Sequence, residues 1–153
     1  ELDLPVNQEL INGIIFGGYQ LGQGIFNPVD VAGWPGDRSW INTSTLTGRW
    51  EYSDFILFTA YQNLPERLRE LAQWLTTDNA NDPALVAQAL IEYIVPRALS
   101  SPEDYDLATM VLKWEVPQNY YDDGSWSLYW ETVPAQIALC LQHISRLPEF
   151  QLN

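Results

Sequence analysis

Apolar residues recur at helical spacing through most of the chain. From about Val6 to Gly22, Leu10, Ile14 and Leu21 share a stripe that Ile11 and Ile15 widen. Gly13 and Gly17 lie four apart there, as do Gly18 and Gly22, a spacing that lets a neighbouring backbone approach closely. A second helix is predicted after Asn42, Thr43 or Ser44 as cap, running to about Gln62 with Leu46, Trp50, Leu57 and Tyr61 inward. Asn63, with Glu66 three residues on, has the form of a capping box. It opens a helix whose Leu64, Leu68, Leu71 and Leu75 oppose Glu66, Arg67, Arg69, Glu70 and Gln73. Asp82-Pro83 begins the next, with Leu85, Val86, Ala89, Leu90, Tyr93 and Ile94 expected inside and Pro96 as the stop. Ser101-Pro102-Glu103-Asp104 repeats that start chemistry for a helix ending before Pro117. The last helix, about Val133 to Arg146, carries Ile137, Leu141 and Ile144 on one face with Ala138, Leu139 and Cys140 beside them, the girth of a central buried helix.

Two segments break this rhythm. Gly24 to Asn42 holds three glycines, two prolines and two tryptophans, which reads as a compact ordered loop pinned by its own rings. Gln118 to Glu131 is an aromatic-rich loop or an irregular hairpin around Asp123-Gly124. The expected fold class is therefore all-α, a single-domain bundle of five or six helices over residues 1–153. With 153 residues the chain can bury a proper core, and its 7 Trp, 8 Tyr and 5 Phe call for one.

Charge narrows the partners. Twenty acidic residues against seven basic ones give a formal net charge of -13, which repels phosphate backbones and excludes nucleic acid as a general partner. No apolar run reaches 18 residues, so membrane insertion is not expected. A single cysteine, Cys140, leaves the redox compartment open. The chain starts without Met, and a C-terminal fragment of a larger protein is the expectation.

The stretch from Leu21-Gly22-Gln23 to Arg49, with Asn27-Pro28, VAGWPG at 31–36, SWINTSTL at 39–46 and the closing Arg49, resembles the C-terminal region of the bacterial domain-of-unknown-function family 1800. The terminal Pro148-Glu149-Phe150-Gln151-Leu152 resembles that family's ending, with Leu147 where Ser is usual. Between these ends only the helical rhythm matches. The resemblance implies a larger exported protein with an extensive N-terminal helical part, often encoded beside a second exported protein of a sulfatase- or phosphatase-like family. An extracytoplasmic location follows from it alone, and it supplies no catalytic residues.

Candidate chemistry is sparse. Cys140 and His143 lie three apart on one helix face, the spacing of a thiol–imidazole pair, but the helix is apolar and buried packing is the plainer role. With His143 the only histidine, a His-rich metal site is impossible; neither metal nor cofactor is expected. Asp30, Asp37 and Glu51 near the tryptophan loop could serve as a carboxylate pair, and read more simply as surface or capping acids. Asp78, Asn79, Asn81 and Asp82, or Asp122 and Asp123, lack the alternating spacing of a helix–loop–helix calcium site.

The candidate binding or loop-anchoring residues are Trp34, Arg38, Trp40, Asp30, Arg49, Tyr120, Tyr121 and Trp126. Trp34, Arg38 and Trp40 suit either a ligand shelf or a plug for their own loop, and Arg49 a tie to that loop. Of Tyr120, Tyr121, Trp126, Tyr129 and Trp130, at least two rings should reach solvent, because a loop cannot bury all five. Three functions fit: a non-catalytic helical module for assembly or binding, an accessory part of a polysaccharide-acting or other hydrolytic enzyme, and carbohydrate binding through exposed aromatics. The partners considered are the rest of the same chain, a co-encoded exported protein, and glycan.

Overall fold

The computed structural model describes residues 8–24, 28, 31, 33, 41–77 and 80–152. The described residues form eight helices and no strand: α1 (Gln8–Gln20), α2 (Thr43–Asn63), α3 (Pro65–Leu75), α4 (Pro83–Ile94), α5 (Pro102–Leu112), α6 (Asn119–Asp122), α7 (Val133–Ser145) and α8 (Pro148–Gln151). Six are long and two are single turns, so the class is all-α. The chain forms two compact units, residues 1–54 and 55–153.

In the first unit, Gly17 sits where an added Cβ would lie 2.6 Å from the Tyr52 ring, and the Tyr52 hydroxyl donates to the Gly13 carbonyl at 2.9 Å. The glycine spacing thus admits an aromatic side chain at Gly17. Backbone approaches only at Gly18, whose Cβ would meet the Gln23 carbonyl oxygen at 3.2 Å. Asn42 opens α2: its Oδ1 accepts from the Thr45 amide at 3.0 Å.

In the second unit, α7 is the central element, packed against α3, α4, α5 and α8. Val133, Ile137, Cys140, Leu141 and Ile144 from α7 meet Leu68 and Ala72 from α3, Val86, Ala87, Leu90 and Ile91 from α4, and Ala108 and Leu112 from α5. Proline stands at the first turn of α3, α4, α5, α7 and α8, where its missing N–H costs nothing. Asp82 caps α4 by accepting from the Ala84 amide at 2.9 Å and the Leu85 amide at 3.4 Å.

Several inward positions differ from the periodicity. Asn63 does not cap α3; Leu64 occupies the cap position, and the Asn63 amide donates back to the Thr59 carbonyl inside α2. Leu85, Tyr93, Tyr61 and Leu64 are exposed. On α4 the buried set is Val86, Ala87, Leu90 and Ile91, because a helix apolar on several sides admits more than one register and its neighbours choose. Gln118 to Glu131 forms the single turn α6 followed by turns, with Gly124 at φ 70, and no hairpin.

Candidate functional site

The aromatic segment between α5 and α7 is built around one buried amide, Gln136 of α7. Its Nε2 donates to the Leu112 carbonyl at 2.8 Å and to the Tyr121 hydroxyl at 2.9 Å. Its Oε1 accepts from Trp126 Nε1 at 3.2 Å and from Thr132 Oγ1 at 3.3 Å. All four hydrogen-bonding capacities of the amide are used, so a polar group in the core is held without penalty. Trp126 is fully buried, with Tyr121 tilted against it at 5.3 Å between centroids. Burial pushes the Tyr121 phenol up, opposed by the bond from Gln136. The Trp126 indole has no exposed face. Tyr121 is half-buried and bonded inward.

The segment is fastened further along. Arg69 of α3 donates from Nη1 to the Leu128 carbonyl and, at 2.9 Å, to the Trp130 carbonyl, while its Nε pairs with Glu66 at 2.8 Å. The Leu128 amide donates to the Ala80 carbonyl at 3.0 Å, and Trp130 Nε1 to the Ser125 carbonyl at 2.9 Å. What this framework leaves outside is Tyr120, 39% exposed and edge-on to Trp130 at 5.0 Å, and Tyr129, 62% exposed. Asp122 accepts from Gln118 Nε2, and Asp123 Oδ1 accepts from the Ser125 amide and hydroxyl, which lowers the Asp123 carboxyl. Both acids serve the local turn.

Cys140 and His143 form no reactive pair. The Cys140 thiol is buried, directed to the Ala108 carbonyl at 3.8 Å, and burial pushes its pKa up to about 12. A thiol so placed is not a nucleophile near neutral pH. His143 Nε2 is buried with no hydrogen-bond partner; desolvation lowers its pKa, with Asp104 acting to raise it and Arg146 to lower it. No group of three or more metal-ligating side chains exists among the described residues, and no helix there is long and apolar enough to cross a membrane.

Asp30, Trp34, Asp37, Arg38 and Trp40 lie outside the described residues, as do Asp78 and Asn79. Arg49 is half-buried on α2, and burial lowers its guanidinium pKa. Glu51 is exposed, and Asp82 is spent as the α4 cap.

Two features escaped the sequence reading. Gln136 was one amide in an apolar helix, and that mismatch was its signal. On α5 and the turn after it, Glu103, Leu107, Met110 and Trp114 recur at intervals of four, three and four; within the helix, Ala108 and Leu112 form the buried side. Leu107 is 49% exposed, Met110 67% and Trp114 60%. The start chemistry at Ser101 to Asp104 marks this helix but does not say which of its apolar sides is covered.

The chain matches the family model described as "Protein of unknown function (DUF1800)" over residues 6–152 and belongs to that family. No curated protein and no solved structure matches it.

Proposed function

We propose that this chain is a non-catalytic helical module serving assembly or binding in an exported bacterial protein. The observation that carries the reading is the division of labour in residues 55–153. The side chains with chemical potential (Cys140, Gln136, Tyr121, Arg69) hold the core, while Leu107, Met110, Trp114, Trp74 and Tyr93 face outward. Large apolar side chains grouped on an outer surface are the usual mark of a contact surface. The test is a panel of glycan and ester substrates offered to the chain. No turnover is expected, and Cys140→Ser and His143→Gln should change only stability. Turnover above a heat-treated control, abolished by a single carboxylate substitution, would replace this reading with a hydrolytic one.

A second reading, carbohydrate binding, is favoured by Tyr120 and Tyr129, both exposed in the segment that carries Asp122 and Asp123. Sugar C–H faces stack on such rings while hydroxyls donate to acids. Glycan binding lost in Tyr120→Ser with Tyr129→Ser, the fold intact, would establish it; binding unaffected by that pair would remove it.

A further inference from the structure

We infer that the outward face of α5 is a docking site for a basic amphipathic helix of a partner protein, a reading that rests on the binding-module proposal and names its partner. Leu107 and Met110 on α5, with Trp114 in the turn after it, form a ridge at the i, i+3, i+7 spacing of a helix–helix seam, and each is about half exposed or more. Met110 at its middle is the side chain best able to adapt to a partner's shape. Three acids flank the ridge along the sequence. Glu103 continues its line one turn earlier, Asp106 flanks it, and Glu115 follows Trp114; all three are exposed. Lys113, the one cation of this stretch, is drawn away to the Tyr121 ring, 5.1 Å from its centroid.

Glu115 supplies an independent observation. It stands at φ 65, in the left-handed region, inside the turn closed by the Val116 amide on the Lys113 carbonyl at 3.3 Å. Glycine is the default residue in that conformation, so a glutamate there costs stability and keeps a carboxylate at the end of the ridge. Charge selects the occupant. A second copy would bring acid rims and two net charges of -13 together, and an anionic membrane would be repelled. A helix with apolar anchors flanked by Lys or Arg satisfies both ridge and rim.

The experiment uses the whole chain and two synthetic 18-residue helical peptides with one Leu face, the remaining positions Lys in one and Glu in the other. Calorimetry and Trp fluorescence report binding. The Lys peptide should bind at least ten-fold more tightly than the Glu peptide. Met110→Ser with Trp114→Ser, which leaves the charge unchanged, should weaken it at least ten-fold with the near-UV spectrum of the remaining aromatics kept. Glu115→Gly should raise the melting temperature yet weaken binding several-fold, a split that a purely structural role would not give. Glu9→Gln, Glu51→Gln and Glu131→Gln together remove three charges from outside residues 102–116 and should leave most of the affinity. Equal binding of both peptides, an unaffected double variant, an equal loss in the triple variant, or a chain dimer dispersed by Met110→Ser would overturn the assignment. Its failure without turnover on the substrate panel leaves the binding-module reading standing, whereas turnover removes that reading itself.

Discussion

At the scale of single residues, Gln136 has the most to lose. Replacing it with Leu fills similar volume but strands the Leu112 carbonyl and Trp126 Nε1 in the core, and takes a partner from the Tyr121 hydroxyl. Each orphaned buried group costs about 1–3 kcal/mol, so a loss of roughly 3 kcal/mol is expected, on the order of 10 °C in melting temperature. Melting of Gln136→Leu within 2 °C of wild type would show that water reaches these groups. His143 gives a pH signature. Its folded pKa lies below the unfolded value of about 6.5, so the unfolded chain binds the extra proton first. Stability is complete above pH 6.5 and declines as pH falls from there toward the folded pKa. Between pH 7.5 and 5.5 the wild type should therefore lose more melting temperature than His143→Gln, and identical slopes would rule the histidine out as the cause.

At the scale of elements, helix starts were legible and helix faces less so. Asp82-Pro83 announces α4 because Pro suits the first turn and Asp accepts from the amides it leaves open. Asp82→Ala should accordingly cost about 1 kcal/mol and loosen hydrogen-exchange protection in the first turn of α4, leaving α7 unaffected; equal loosening in both would make the cap a global support. Asn63-x-x-Glu66 carries the same kind of signal but is not used as one, since Asn63 is the last residue of α2 and Glu66 is taken by Arg69. Faces were harder. The periods of α4 and α5 fit two registers, and only the neighbours α3 and α7 decide that Leu90 and Leu112 go in while Leu85 and Met110 stay out. For the candidate site, the sequence marked the right segment at 118–131 but not the sorting of its rings. That sorting depends on contacts with distant residues, Gln136 on α7 and Arg69 on α3. Tyr120→Ala with Tyr121→Ala should therefore lower the melting temperature, since Tyr121 packs on Trp126 and bonds Gln136.

At the scale of the whole molecule, charge is the property that folding does least to answer. The chain carries -13, and the ion pairs Arg67–Glu70 and Arg69–Glu66 are both local to α3. With 20 acidic residues against seven basic ones, the net balance is repulsion, which raises the free energy of the compact state more than that of the expanded chain. Repulsion between exposed charges is screened within a Debye length, which shrinks from about 30 Å at 0.01 M salt to about 8 Å at 0.15 M. Raising NaCl from 10 to 150 mM should thus stabilise the fold by about 1 kcal/mol, a rise of roughly 2–4 °C for a chain of this size. Sulfate would also strengthen apolar burial, so NaCl at constant pH is the cleaner probe. The same salt should weaken the Lys-peptide complex proposed for α5, because there the acids attract their partner. Opposite signs for stability and binding in one titration are the signature of an acidic rim around an apolar ridge. A melting temperature that falls with NaCl would mean that local pairing outweighs repulsion. Peptide affinity that does not change with salt would remove the acids of the α5 rim from recognition.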